Sequence, residues 1–134
     1  MLIHSETEML ELGRKLAAEL RAPAVLELIG DVGAGKTTFT RGLAQGLGVK
    51  ATLSSPSFTI SRIYQGEDCI LAHYDFYRLE DPGIMSEDLA ESIEDPKTIT
   101  VIEWGQSIKN LLPKDHRVIE IKYIDENTRE VNVE

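Results

Sequence analysis

The chain has 134 residues, 42% of them hydrophobic and 28% charged, which fits one globular domain and excludes a disordered or collagen-like chain. One cysteine, Cys69, excludes an internal disulfide and argues against a cysteine-based zinc or iron–sulfur site. Fourteen Lys+Arg against 23 Asp+Glu give a net charge of −9, which argues against a direct grip on DNA or RNA.

The first ten residues carry Glu6 and Glu8 where a signal peptide has positive charge and an apolar run. No stretch approaches the ~18 apolar residues of a membrane helix. A cytoplasmic protein with no membrane contact is expected. Ser5 and Glu8 have capping-box spacing, and Met9, Leu12, Leu16 and Leu20 follow on one helical face, so a helix is expected up to Pro23. Ala24–Ile29 reads as a short buried strand ended by Gly30. A Gly-rich turn leads into a helix over Thr37–Leu47, with Phe39, Leu43 and Leu47 on one face and Gly48 as its C-terminal cap.

Phe58–Tyr64 and Cys69–Phe76 alternate around a Gly-containing link and predict a hairpin. Asp81-Pro82-Gly83 marks a turn before a short helix over Ser86–Glu94. Thr98–Ile102 predicts a strand with Glu103 at its carboxyl end, and Ile108–Leu112 predicts one helical turn. Arg117–Ile124 and Arg129–Val133 predict a terminal hairpin. The sum is an α/β domain over residues 1–134, a mixed parallel and antiparallel sheet flanked by helices.

One motif decides the class. Gly30-Asp-Val-Gly-Ala-Gly35-Lys36-Thr37 satisfies every fixed position of the phosphate loop G-x-x-x-x-G-K-[ST], between a strand and a helix as its mechanics require. Glycines let the backbone wrap until successive N–H groups converge on phosphate oxygens, and the helix N-terminus adds its positive end. Lys36 is expected to bridge β- and γ-phosphates and the Thr37 hydroxyl to ligate Mg²⁺.

Such a loop needs a second anion at the end of a neighbouring strand. Glu103 and Asp75 both stand there, with Glu103 the first choice. Ser57 and Thr59 fall where nucleotide switches keep a γ-phosphate-sensing loop. His4, His73 and His116 lack metal-ligand spacing; His73 is expected in the core or in a hydrogen bond. Trp104 is expected to pack at the edge of the nucleotide site, and Cys69 to be a small buried residue.

Taken together, G-D-V-G-A-G-K-T-T-F at 30–39, S-P-S-F-T at 55–59, H-Y-D-F-Y-R-L at 73–79 and I-E-W-G at 102–105 resemble the TsaE family, also called YjeE, over nearly the whole chain. These are the small P-loop ATPases of bacterial tRNA threonylcarbamoyladenosine synthesis. The resemblance implies a P-loop NTPase-like fold, with ATP bound by Gly33, Ala34, Gly35, Lys36, Thr37 and Thr38 and Mg²⁺ held by Thr37 and Glu103. It makes Lys36, Asp75 and Glu103 the catalytic candidates. Relatives also hold the adenine between the start of the N-terminal helix, where Glu6 is the candidate, and the C-terminal hairpin, where Asn127 is. Two positions depart from the family pattern: Ser57 stands where Thr is common, and Asn127-Thr128-Arg129 where Gly-Arg is frequent.

The implied partners are TsaB and TsaD, with TsaD carrying threonylcarbamoyl to adenosine 37 of tRNA and ATP hydrolysis resetting the complex between cycles. The tRNA is then met only through the complex, in keeping with the acidic charge. The alternative, a small-molecule P-loop kinase, lacks the Arg-rich lid that such enzymes insert after the loop. Absence of N-K-x-D favours ATP over GTP.

Overall fold

The computed structural model describes residues 1–31, 33–50, 61–76, 84–104 and 109–134. In chain order the elements are β1 (Leu2–Ile3), α1 (Glu6–Glu19), β2 (Ala24–Ile29), α2 (Lys36–Gly46), β3 (Ser61–Gln65), β4 (Ile70–Asp75), α3 (Ile84–Glu94), β5 (Thr98–Glu103), β6 (Arg117–Asp125) and β7 (Thr128–Val133). The strands form one seven-stranded sheet in the order β1-β7-β6-β2-β5-β4-β3. Its centre, β6-β2-β5-β4, is parallel throughout, and β1, β3 and β7 join antiparallel at the edges.

Parallel strands are covered on both faces and therefore read as continuous apolar runs. Every residue of β5 is buried, as are Val25–Leu28 of β2. On one face Leu26, Leu28, Leu71, Ile99, Val101, Ile119 and Ile121 pack under α1 and α2. On the other, Val25, Ala72, Tyr74, Phe76 and Ile102 pack with Leu89 of α3.

The helix ends follow from local chemistry. Ser5 caps α1 by accepting the Glu8 N–H at 3.0 Å, and the Glu8 carboxylate accepts the His4 N–H at 3.3 Å, one residue earlier than a capping box requires. α2 ends as the sequence suggests: Gly48, at φ +83°, donates to Gln45 O at 3.1 Å and Val49 to Ala44 O at 3.0 Å, which satisfies the last carbonyls.

α1 and α2 approach closely because two glycines face each other's backbone. A Cβ on Gly42 would lie 2.2 Å from Leu10 O, and one on Gly13 would lie 2.4 Å from Phe39 O. Neither position can give without separating the helices. Gly42→Ala is expected to destabilise the fold by about 1–3 kcal/mol, read as a lower urea midpoint at unchanged slope.

Several expectations need correction. The first residues pair as β1, with Leu2 opposite Glu130 and Ile3 opposite Arg129; two residues are too few to show alternation. α1 stops at Glu19, with Leu20 extended as its C-cap, so it ends before Pro23 acts. Cys69 is half-buried and not enclosed. The described part of the turn expected from Ile108 is a 3₁₀ turn over residues 109–111. Phe58–Ile60 of the expected first hairpin, the Asp81-Pro82-Gly83 turn and Ile108 itself lie outside the described residues.

Candidate functional site

The site is built where the parallel strands end. Glu103, the last residue of β5, sits level with Leu28 of β2 and with Asp75, the last residue of β4. The chain leaves β2 at Ile29 and turns into α2 through Gly33 at φ +85° and Gly35 at φ +111°. A Cβ on Gly33 would meet nothing within 4 Å, so glycine serves the backbone angle there and not a lack of room. Gly35 is the N-cap of α2 and provides no side-chain hydrogen bond, which leaves the first N–H groups of the helix available to an anion.

Lys36 heads that helix and turns inward, only 6% exposed. Its Nζ donates to Gly30 O at 2.6 Å, lies 3.7 Å from Glu103 Oε1 and sits 3.9 Å from the centre of the Trp104 ring. Burial lowers the ammonium pKa from its ordinary value, with the charges of Glu103, Asp75 and Asp31 opposing that shift. Trp104 reaches this place by adopting φ +58° directly after Glu103, a left-handed conformation costing a side-chain-bearing residue about 1–2 kcal/mol. The cation–ring contact offsets part of that strain. On the other side of Glu103, Oε2 lies 2.5 Å from His73 Nε2.

A cleft of about 400 Å³ opens beside this cluster, lined by His4, Glu6, Met9, Gly33, Ala34, Gly35, Thr38, Asn127 and Arg129 among others. Three separate parts of the chain meet in it: the start of α1, the phosphate loop and the turn between β6 and β7. Arg129 fastens the last two together. Its guanidinium donates to Ala34 O at 3.1 Å and to Asp125 O at 2.7 Å, and it stacks over Tyr123 at 4.5 Å.

Residues 3–131 match the family model described as threonylcarbamoyl adenosine biosynthesis protein TsaE. The chain belongs to the TsaE family. Among its relatives, the tRNA threonylcarbamoyladenosine biosynthesis protein TsaE of Streptomyces coelicolor is 43% identical over 109 residues, covering 80% of this chain and 74% of that one. The protein of the same name from Bacillus subtilis is 41% identical over 119 residues, covering 87% of this chain and 73% of that one. The crystal structure of Bacillus subtilis YdiB superposes with a TM-score of 0.81 at 30% identity, covering 98% of this chain and 80% of that one. The fold is P-loop NTPase-like, and the function lies in tRNA threonylcarbamoyladenosine biosynthesis. These likenesses support that reading and not the kinase alternative.

In this TsaE chain the residues singled out in the sequence fall into two adjoining groups. Glu6, Gly33, Ala34, Gly35, Thr38 and Asn127 line the cleft. Lys36 and Glu103 form the buried charge cluster, with Asp75 at the same sheet edge. Thr37 is half-buried in the first turn of α2, which joins the two groups. Glu6 also pairs with Arg41 at 3.3 Å, where both side chains are exposed and the pair contributes little. Ser57, Thr59, Tyr77, Arg78 and Gly105 lie outside the described residues.

The partners of two residues were not legible in the sequence. His73 is buried and hydrogen-bonded, as expected, but the group it meets is Glu103. Arg129 stood in the quoted hairpin segment, but nothing in the spacing revealed that it returns to the phosphate loop. Arg129→Ala is expected to weaken nucleotide binding by TsaE roughly tenfold, measurable by calorimetric titration, with little loss of thermal stability.

Proposed function

We propose that this chain is a single ATPase domain that binds ATP with Mg²⁺ and hydrolyses it, acting with TsaB and TsaD in the cytoplasm to reset the tRNA-modifying complex between cycles. The observation that carries the reading is the buried Lys36 at the head of α2, 3.7 Å from the strand-end carboxylate of Glu103.

The residues fit the nucleotide. Backbone N–H groups at the start of α2 would hold phosphate oxygens, and Glu6 and Asn127 would flank the adenine in the cleft. Lys36 keeps a cation beside the loop, and a phosphate oxygen would take the place of the Gly30 carbonyl as its acceptor. Among the described residues no three His, Cys, Asp or Glu side chains gather as a metal cage, in keeping with a site in which Thr37 and Glu103 share the ion with phosphate oxygens. Mg²⁺ would neutralise charge on the β- and γ-phosphates. Asp75 is assigned to orienting the attacking water, whose oxygen bonds to the γ-phosphorus as the bond to the bridging oxygen breaks and ADP leaves.

The test is Mg²⁺-dependent ATP hydrolysis by the purified chain, alone and then with TsaB and TsaD. Slow turnover alone that changes when the partners are added is the expected result. Turnover indifferent to the partners would overturn the coupling, and none under either condition would overturn the ATPase assignment.

A further inference from the structure

His73 is 1% exposed, and its ring has two unlike sides. Nε2 lies 2.5 Å from Glu103 Oε2, while Nδ1 has no hydrogen-bond partner among the described residues. The pair is set by strand register. His73 sits level with Val101 on the neighbouring parallel strand, and Glu103 follows two residues later on the same face. The two oxygens of Glu103 therefore face different groups: Oε2 meets the imidazole, and Oε1 points toward the Lys36 ammonium at 3.7 Å.

We propose that His73 is a positioning residue for Glu103. It donates its Nε2–H to Oε2 and fixes the carboxylate with Oε1 toward the phosphate end of the loop. This rests on the role proposed above for Glu103 as a metal ligand.

A glutamate loses up to about 2 kcal/mol of rotamer freedom when ordered, so a ligand already held by a second hydrogen bond has less to lose when the metal arrives. An N–H donor with its hydrogen on Nε2 and a bare lone pair on Nδ1 holds the carboxylate without cancelling its charge, as a lysine or arginine at this position would. A residue serving only to fill space would be apolar, because a buried ring nitrogen with no partner among the described residues is a cost that packing alone does not require.

The test compares His73→Leu, which keeps bulk, with His73→Gln, whose amide nitrogen can reach the place of Nε2. Mn²⁺ uptake by the chain with ADP, followed by electron paramagnetic resonance, reads the ligand directly, and ADP binding without metal serves as the control. His73→Leu is expected to bind ADP as the parent does but to take up Mn²⁺ 10- to 100-fold more weakly, and His73→Gln to recover most of the loss. Unchanged Mn²⁺ affinity in His73→Leu, or a His73→Gln no better than Leu, would overturn the proposal. Failure of the metal assignment itself would show separately, as a parent chain whose ADP complex takes up no Mn²⁺. Nitrogen-15 spectra of the parent without nucleotide or metal give a further reading that does not depend on the variants folding. The Nε2–H tautomer of His73 is expected, and the Nδ1–H tautomer would overturn the inference.

Discussion

Lys36→Ala is expected to lower ATP turnover by about two to three orders of magnitude while leaving the protein folded. The ammonium is held on the phosphate loop by Gly30 O and is already desolvated, which strengthens its pull on a phosphate oxygen relative to a surface lysine. Beside the Glu103 carboxylate, its partners are the Gly30 carbonyl and the Trp104 ring, two neutral groups that can be exchanged for an anion at little cost. Truncation leaves the Glu103 carboxylate buried without its cation, at a cost of up to about 3–5 kcal/mol. His73 still holds that carboxylate, so a lowered melting temperature in a chain that still folds is expected. Lys36→Arg is not expected to rescue, since a planar, longer guanidinium cannot occupy the place of a compact ammonium between carbonyl and ring. Hydrolysis measured with TsaB and TsaD present, beside a thermal melt of each variant, checks both halves. Wild-type binding and turnover in Lys36→Ala would overturn the phosphate-loop assignment.

The second large effect is expected at Glu103, and there the choice of variant matters. From the sequence, a strand-end acid should contribute little to the core, so alanine would serve. The structure shows the Glu103 side chain buried, with its carboxylate between His73 and Lys36. Alanine would leave the His73 donor unsatisfied at a cost of about 1–3 kcal/mol, mixing lost stability with lost chemistry. Glu103→Gln keeps an oxygen for His73 and removes the negative charge. Its turnover is expected to fall about 100-fold, with a raised Mg²⁺ requirement and a urea midpoint lowered less than in the alanine variant, because Lys36 keeps the Gly30 carbonyl and the Trp104 ring. A Glu103→Gln variant with normal Mg²⁺ dependence would remove Glu103 from the metal site.

What could be read in advance follows the range of the interactions. The phosphate loop, its strand and its helix were legible because glycine, lysine and threonine at fixed spacing answer to local backbone geometry. Glu103 and Asp75 were legible as strand-end acids because parallel strands of similar length end at one edge. The pairing of His73 with Glu103 was not, because it depends on the register of β4 against β5, which no local pattern specifies. The return of Arg129 to Ala34 spans 95 residues of sequence and belongs to the same class. β1 was missed for a different reason: its two residues are held by pairing with β7 and have no preference of their own to read.

Trp104 is the one tryptophan in the sequence, and its ring lies against the Lys36 ammonium, a group close enough to perturb an excited indole. Every photon emitted at tryptophan wavelengths by this chain therefore originates beside the phosphate loop. The protein carries its own optical reporter, and arrival of a ligand that draws Lys36 away from the ring can be followed in real time, without a label, in a mixture whose other components lack tryptophan.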